Sequence, residues 1–289
     1  RRGDQEPDRL TDARAKVLDV MDEYEGAAFT ASELSGLAGV TSSVIKGLVK
    51  QGAIREEEAP RDLPFPPLDP ELPGKTLSDD QAAAAAALEA GVNGGRYGTT
   101  LLKGVTGSGK TEVYLEAVAA CLRKGRQALV LLPEIALTAE FLKRVEARFG
   151  AVPAEWHSGV TMTERRRVWR MVGQGAAQLV IGARSSLYLP FRDLGLIIVD
   201  EEHDTSYKQE EGVLYNARDL AVWRASLCQA QVVLASATPS LETWANAEAG
   251  KYTRLDLTSR FGEAVLPEMR AVDMRNEDLL PSTWISPTL

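Results

Sequence analysis

The chain has 289 residues, of which 44% are hydrophobic, and its net charge at neutral pH is −8. This length accommodates one large and one small domain, and no uninterrupted apolar run reaches the roughly 20 residues that span a membrane. The excess of acidic residues argues against a generally basic surface for nucleic acid, but it does not exclude a local basic groove.

The cysteines and the chain ends bear on the cellular compartment of the protein. Cys121 and Cys228 are far apart in the sequence, so we expect buried thiols in a reducing cytoplasm and neither a disulfide nor a zinc site. The opening "RRGDQEPDRL" lacks the pattern of a signal peptide, and both ends read as cut. We therefore expect a piece of a longer cytoplasmic protein.

The first predicted unit, residues 1–59, has the pattern of a winged-helix (helix-turn-helix) domain. The segments "DARAKVLDVMDEY", "TASELSGLAG" and "TSSVIKGLVKQG" predict short helices with Thr30 and Thr41 as N-caps, and "AIREEE" predicts a strand. Lys46 and Lys50 fall on one face of the last helix, where they could contact DNA. The acidic flank at 56–58 favours a contact with bent DNA or a docking protein instead, and both alternatives stay open.

The next segment, residues 60–76, is predicted to be a linker. Its prolines exclude a helix and favour an extended path. After the linker, Ser78 can cap a helix that runs through the alanine-rich "QAAAAAALEA". Gln81, at the start of that helix, would by itself be a solvated or capping residue.

The stretch "LLKGVTGSGKTEVYLEAV" predicts a strand, a glycine-rich loop and a helix, and its loop fits the phosphate-binding pattern G-x-x-x-x-G-K-[ST]. Glycines let backbone N–H groups turn inward around a phosphate at a helix N-terminus. Lys110 would reach the β- and γ-phosphates and Thr111 would bind Mg²⁺. The other predicted nucleotide contacts in the loop are Gly104, Thr106, Gly107, Ser108 and Gly109. Nucleotide binding alone leaves kinases, GTPases, transporters and helicases open.

From Thr100 onward, short apolar segments alternate with helix-like ones, which predicts an α/β fold with a parallel sheet covered by helices on both faces. Catalytic residues of such sheets lie beyond the carboxyl ends of the strands. "LGLIIVDEEHD" places Asp200 and Glu201 there, suited to hold Mg²⁺ and to deprotonate the attacking water, respectively. "VVLASATPS" places Ser236 and Thr238 after another strand. The acidic pair favours hydrolysis of a nucleoside triphosphate.

The order of these motifs resembles the first motor lobe of superfamily 2 helicases. The chain also carries "LLPEIALT", "HSG" with "ERRRVW", and "IGARSSLYLPF". "DEEHD" running into "SYKQEEG", together with "PEIALT" and "GARSS", is similar to the PriA family, the bacterial primosomal helicases of replication restart. The resemblance runs from about Leu77 to Arg275. It implies a RecA-like, ATP-binding lobe at 77–262 and the start of a truncated second lobe at 263–289.

The resemblance also implies roles for single residues. Gln81 would read adenine, and His203 would join the catalytic residues Lys110, Asp200 and Glu201 and couple them to Ser236 and Thr238. The residues expected to contact DNA are Glu134, Thr138, Arg184 and Ser185. An aromatic-rich loop would sense single-stranded DNA by stacking and charge, and so stimulate hydrolysis. The residues assigned to this loop are Tyr207, Lys208, Tyr215 and Arg218.

For the whole protein, the resemblance implies a monomeric, ATP- and Mg²⁺-dependent 3′-to-5′ DNA helicase. Its expected partners are forked and single-stranded DNA, primosome proteins and single-strand-binding proteins. The family's second-lobe arginines and zinc module are not in this sequence, so we expect the piece to bind ATP and DNA, to hydrolyse ATP poorly and not to unwind DNA. The alternatives are another superfamily 2 translocase or RNA helicase, and an ATP-regulated module that binds DNA or protein.

Overall fold

The computed structural model describes residues 9–23, 31–56 and 63–258, together with residues 3, 5, 7 and 29. The chain divides into two compact units, Arg1–Leu63 and Pro64–Leu289. Three sequence predictions lie outside the described residues: the N-cap Thr30, the acidic residues 57–58 and the second-lobe segment 263–289. Within the described part, no helix is both long and apolar enough to cross a bilayer.

The first unit contains α1 (Asp12–Glu23), α2 (Ala31–Ala38) and α3 (Ser42–Lys50). Their apolar faces share one core, in which Val17 and Leu48 are fully buried. Thr41 occupies the N-cap position of α3, but its side chain makes no capping hydrogen bond to the helix. In the described part of the predicted strand, residues 53–56, only Ile54 has a bridge pairing. The helices predicted here are therefore present, and the strand is reduced to one residue.

The second unit alternates strands and helices. In chain order they are α4 (Asp79–Gly94), β1 (Gly98–Gly104), α5 (Lys110–Arg123), β2 (Gln127–Leu131), α6 (Ala139–Phe149), β3 (Ala154–Trp156), α7 (Met162–Gln174), β4 (Leu179–Gly182), β5 (Leu194–Asp200), β6 (Lys208–Gln209), β7 (Tyr215–Asn216), α8 (Ala217–Cys228), β8 (Gln231–Ser236), α9 (Leu241–Glu248) and β9 (Thr253–Leu257). Short 3₁₀ turns lie at Glu134–Ala136, Arg184–Tyr188 and Thr205–Tyr207.

Seven of the described strands form one parallel sheet in the order β3-β4-β2-β5-β8-β1-β9. One apolar core, with α4 and α5, covers one face, and a second core, with α7 and α8, covers the other. Because both faces are buried, the central strands are continuous apolar runs, and every residue of β2 is buried. The predicted α/β fold with a doubly covered parallel sheet is confirmed.

The sheet order decides which loops meet. β1 and β5 both pair with β8, and β2 pairs with β5 on its other side. The carboxyl ends of these strands therefore bring four segments to one edge: the phosphate loop, the acidic motif, the segment after Ser236, and the segment after Leu131. This edge contains the candidate site.

The described part of the predicted linker, residues 63–76, contains neither helix nor strand but is bound to the α/β unit. Arg148 of α6 pairs with both carboxylate oxygens of Glu116 at 2.9 Å and donates to the Leu72 carbonyl at 2.7 Å. Asp69 N–H donates to the Phe149 carbonyl at 2.8 Å. This proline-rich segment therefore has a fixed path along the second unit.

Candidate nucleotide site and nucleic-acid interface

The phosphate loop takes its shape from glycines in left-handed backbone conformations. Gly107 and Gly109 both have φ of 80°, which side chains with a Cβ adopt at a cost. Gly109 is also the N-cap of α5, and a Cβ there would collide with the amide nitrogen of Gln81. At Gly109 the backbone conformation favours glycine, and a side chain would also displace the Gln81 amide from its contact with the Ser108 carbonyl.

Two polar groups of the loop are poised for an anion. Lys110 is 8% exposed, and its Nζ donates to the Gly104 carbonyl at 2.9 Å. Ser108 Oγ is buried and has no hydrogen-bond partner among the described residues. A buried ammonium and an unpaired hydroxyl at the N-terminus of α5 fit a phosphate group.

The loop borders a cavity of about 390 Å³. Its walls come from residues 75–77, Gln81, the loop itself, Glu112, Arg144, and the acidic residues Asp200 and Glu201. The predicted phosphate-binding and acidic motifs therefore face one space. Lys75 and Arg144, which lie 2.8 and 3.7 Å from Glu112 Oε1, were not predicted, because nothing in their local sequence distinguishes them from surface cations.

Gln81 holds the loop from α4. Its Oε1 accepts from Ser78 N–H at 2.9 Å, and the Ser78 hydroxyl accepts from Gln81 N–H at 3.5 Å, which completes a capping box. Its Nε2 donates to the Ser108 carbonyl at 2.9 Å. The side chain thus stabilises the phosphate loop from behind, and adenine recognition by Gln81 remains a prediction.

Asp200, at the end of β5, is oriented by two donors. Tyr114 Oη donates to its Oδ2 at 2.8 Å and Glu201 N–H donates to its Oδ1 at 3.0 Å. Loss of water contact raises the pKa of Asp200, and the nearby Glu201 adds to the rise. Burial, reinforced by the Asp200 charge, raises the pKa of Tyr114 well above its usual value, so Tyr114 keeps its proton and remains a donor. Tyr114 was missed, although its place four residues after Lys110 puts both on one face of α5.

Glu201 has the backbone conformation expected of a functional residue under strain. Its φ is 46°, in the left-handed region that residues other than glycine rarely occupy. Such a conformation costs about 1–3 kcal/mol and occurs preferentially at active sites. Glu201 lines the cavity beside Asp200.

His203 joins the acidic motif to the end of β8. Its Nδ1 lies 2.8 Å from Ser236 Oγ and 3.6 Å from Glu201 Oε2. Ser236 Oγ accepts from Thr238 N–H at 3.1 Å, so its own proton can be donated to the histidine ring. The structure thus brings together His203, Ser236 and Thr238, which were expected to couple the acidic motif to the segment after β8.

A second contact between the acidic motif and the segment after β8 was missed. Glu202 is 1% exposed, and its carboxylate accepts from Ser240 N–H at 2.7 Å and from the Ser240 and Thr243 hydroxyls at 2.9 Å. Arg218 Nη1 lies 3.4 Å from the same carboxylate. Arg218 is 7% exposed and is held inside the unit, and the sensing of DNA by this side chain remains a prediction. Sequence alone gave no reason to separate Glu202 from its acidic neighbours.

Tyr207, which was predicted to stack on DNA, points into the core, and its role toward DNA remains a prediction. Tyr207 is 1% exposed, and its hydroxyl lies 2.6 Å from the Asp200 carbonyl and 3.0 Å from the Leu131 carbonyl. Burial raises its pKa well above the usual value, so it donates within the core. Of its predicted companions, Lys208 is exposed and pairs with Glu210 at 3.1 Å, and Tyr215 lies edge-on to Tyr188 at 5.6 Å.

The predicted DNA-contacting residues lie at the same edge of the sheet. Arg184 Nη1 donates to the Ser206 and Lys208 carbonyls at 3.1 and 3.0 Å. Glu134 and Arg184 line a cavity of about 290 Å³. Thr138 caps α6 through Phe141 N–H, and the exposed Ser185 accepts from Trp156 Nε1 at 3.1 Å. DNA contact by these residues remains a prediction.

The amino-acid sequence is similar to those of known bacterial proteins. The chain is 42% identical over 264 residues to the replication restart protein PriA of Bacillus subtilis (strain 168), an alignment that covers 89% of this chain and 32% of that protein. It is 49% identical over 190 residues to PriA of Rickettsia felis, which covers 66% and 29% of the two chains. The chain therefore spans about a third of the length of these relatives.

Structural comparison supports the fold. A structure of RecG bound to a three-way DNA junction superposes on 70% of this chain and 27% of that one, with a TM-score of 0.50 and 21% identity. The DEAD/DEAH box helicase family matches residues 78–247, which include the phosphate loop, the acidic motif and the segment after β8. The chain belongs to the DEAD/DEAH box helicase family.

Proposed function

We propose that this chain is the nucleotide-binding motor lobe of an ATP-dependent 3′-to-5′ DNA helicase of bacterial replication restart. The observation that carries the proposal is the meeting of three motifs at the ends of the adjacent strands β1, β5 and β8: the phosphate loop, the Asp200–Glu201 pair, and Ser236 bonded to His203. Similarity to proteins named for replication restart supports the biological role.

Nucleotide binding would use groups that already face the loop. Lys110 would exchange its contact with the Gly104 carbonyl for a phosphate oxygen. Thr111 and Asp200 are the groups that would hold Mg²⁺, which would neutralise charge on the phosphates. The unpaired Ser108 hydroxyl and the glycine cradle fit this ligand.

Hydrolysis would depend on Glu201. Tyr114 and the Glu201 N–H stabilise Asp200 as an anion, which leaves the Glu201 carboxylate to orient a water and accept its proton. His203, 3.6 Å from Glu201 Oε2, would carry a shift of that carboxylate to Ser236. Residues of the GARSS segment, held to the 205–207 turn by Arg184, would carry DNA contact toward the same site.

The domain assignments are part of the proposal. Residues 1–59 would form a winged-helix domain that docks on bent DNA or protein, and exposed Lys46 and Lys50 on α3 support such a surface. Residues 60–76 would join it to a lobe at 77–262, and residues 263–289 would begin a second lobe whose arginines complete the ATP site. The protein would act in the cytoplasm as a monomer on forked and single-stranded DNA, with primosome and single-strand-binding proteins.

The decisive experiment uses Glu201→Gln in this chain and in the longer protein that contains it. We expect unchanged binding of a fluorescent ATP analogue in both proteins and, in the longer protein, a loss of DNA-stimulated hydrolysis of at least a hundredfold, on the order of other lost catalytic bases. Glu248→Gln, at an exposed carboxylate that pairs with Arg254 at 3.2 Å, is the matched control. Normal DNA-stimulated turnover by Glu201→Gln would contradict the proposal.

The same measurements separate the alternatives. An ATP-regulated binding module would keep its function in Glu201→Gln, because only nucleotide binding would matter. An RNA helicase would show turnover stimulated by single-stranded RNA and not by DNA. We expect forked DNA with a single-stranded gap to stimulate the longer protein, and this chain by itself to stay near background.

A further inference from the structure

A surface on the second unit combines exposed tryptophan with arginine. It lies on α7 and the neighbouring edge strand β3 and surrounds a groove of about 360 Å³, and we call it the α7 surface. Its residues are Trp156, Met162, Arg165, Arg166, Trp169 and Arg170. None of them belongs to the nucleotide cavity or was assigned a role from the sequence.

The aromatic part of the α7 surface is open to solvent. Trp169 is 47% exposed and Met162 is 65% exposed, while the opposite side of α7 buries Val168, Met171 and Val172. The Trp156 and Trp169 rings are 6.4 Å apart and tilted by 42°. α7 therefore uses its aliphatic residues and Met171 for the core and presents the Trp169 ring outward, beside the half-buried Trp156 of β3.

The charge of this surface is opposite to that of the chain. The whole sequence carries −8, whereas residues 162–174 contain four arginines and a single acid, Glu164. Arg165 lies over the Trp156 ring with its guanidinium carbon 5.5 Å from the ring centre, and its Nε is buried without a hydrogen-bond partner among the described residues. A local cationic surface on an acidic protein favours an anionic partner.

The α7 surface is continuous with the segment expected to contact DNA. Trp156 is opposite Gly182, the first residue of the GARSS segment, in the β3–β4 pair, and its Nε1 donates to Ser185 Oγ at 3.1 Å. Arg165 Nη2 donates to the His157 carbonyl at 2.8 Å and so holds the loop between β3 and α7. Trp156 thus joins the carboxyl edge of the sheet to α7.

We propose that the α7 surface binds single-stranded nucleic acid, with bases stacked on Trp169 and Trp156 and phosphates paired with Arg166 and its neighbours. It would extend the DNA path beyond Arg184 and Ser185, and in this respect it rests on the proposed function. In an unpaired strand, bases alternate with phosphates along the chain. Indole faces can stack on the bases, and guanidinium groups can pair with the phosphates. An acidic peptide would satisfy the arginines but would leave the flat rings without a matching partner.

The test measures binding of labelled oligo(dT) of increasing length to this chain by fluorescence anisotropy. Trp169→Ala should weaken binding about tenfold, and Trp169→Phe should restore most of the loss, because stacking needs only an aromatic face. Arg166→Gln should lower the slope of log affinity against log salt by about one. Binding of a fluorescent ATP analogue should be unchanged in all three variants, which confirms that they are folded.

Two matched controls lie elsewhere on the same unit. Trp223→Ala removes a tryptophan of α8 that is 62% exposed, and Arg96→Gln removes an exposed arginine at the amino end of β1, at the opposite edge of the sheet. Both should leave oligo(dT) binding and its salt dependence unchanged. Equal losses in the controls and in the α7 variants would overturn the inference, since they would show only non-specific attraction.

The remaining outcomes separate this inference from the proposed function. If Trp169→Ala binds oligo(dT) as tightly as the parent, the inference is wrong, whereas the proposed function stands as long as Glu201 remains necessary for turnover. If Trp169→Ala instead loses only the binding of a peptide of alternating Asp and Leu, the surface takes a protein and the inference is again wrong. If the parent binds ATP but no oligonucleotide of any length, both nucleic-acid assignments are overturned.

Discussion

At the scale of single residues, Gly109 shows how the phosphate loop restricts its own sequence. We expect Gly109→Ala to lower the free energy of unfolding by about 1–2 kcal/mol for the left-handed backbone and by a further amount for displacing Gln81, which its Cβ would strike. Affinity for an ATP analogue should fall as well. Gly125→Ala is the control, because Gly125 has φ of 69° but open space around it. Urea unfolding and nucleotide titration measure both effects, and equal behaviour of the two variants would exclude a packing role for Gly109.

Tyr207 offers a second test at this scale. Tyr207→Phe removes the hydroxyl that lies between the Asp200 and Leu131 carbonyls, and losing a buried partner costs about 1–3 kcal/mol. We expect that loss of stability in urea unfolding and a slower turnover in the longer protein, because the backbone of Asp200 loses a support. Tyr97→Phe, at a residue that is 38% exposed, should cost less. A Tyr207→Phe variant as stable as the parent would contradict a structural role for this buried hydroxyl.

Cys121 gives a prediction of pH dependence. Burial raises the pKa of its thiol to about 12, whereas an unfolded thiol titrates near about 8.5. The folded chain therefore keeps a proton that the unfolded chain releases, so this contribution to stability is lost as pH rises from about 8.5 to 12. In a Cys228→Ser variant at about pH 8, we expect a disulfide reagent to label Cys121 only after unfolding. Rapid labelling of the native variant would contradict this burial.

At the scale of elements, Glu202 fixes the start of α9 to the turn after β5. Glu202→Ala removes the acceptor for Ser240 and Thr243, while Arg218 keeps its contacts with Asp219 and the Ser240 hydroxyl. Leaving buried donors without their acceptor costs about 1–3 kcal/mol. Glu242→Ala removes a carboxylate that is 71% exposed and 3.7 Å from the same Arg218, and should cost about 0–1 kcal/mol. Thermal unfolding measures the loss of stability in both variants. Similar losses would show that Glu202 contributes no more to stability than an exposed carboxylate does.

The elements also show what the sequence could predict. Strands such as β2 and β5 were predicted because burial on both faces demands an unbroken apolar run. β9 was not predicted, because its edge position leaves Thr253, Arg254 and Asp256 exposed or half-buried and gives no such run. Tyr207 and Arg218 were assigned to a DNA-sensing loop by the family resemblance alone, although such residues taken singly are more often core or cap residues. Their inward direction is set by a 3₁₀ turn and by contacts more than ten residues away, which local sequence does not encode.

At the scale of the whole molecule, the division of the chain leads to a prediction about where the motor lobe begins. Every residue that lines the nucleotide cavity belongs to the second unit. A protein of residues 64–289 should therefore bind a fluorescent ATP analogue as tightly as the full chain. A protein of residues 77–289, cut at the start predicted from the sequence, should bind more weakly, because it lacks Lys75 and Thr76 of the cavity wall.

The shorter protein should also be less stable, since Arg148 would lose the Leu72 carbonyl and Phe149 would lose its contact with Asp69. Nucleotide titration and thermal unfolding of the three proteins test this directly. Equal affinity and stability of the 64–289 and 77–289 proteins would mean that the proline-rich segment only connects the two units. A loss confined to 77–289 would make this segment part of the motor lobe and of its nucleotide site.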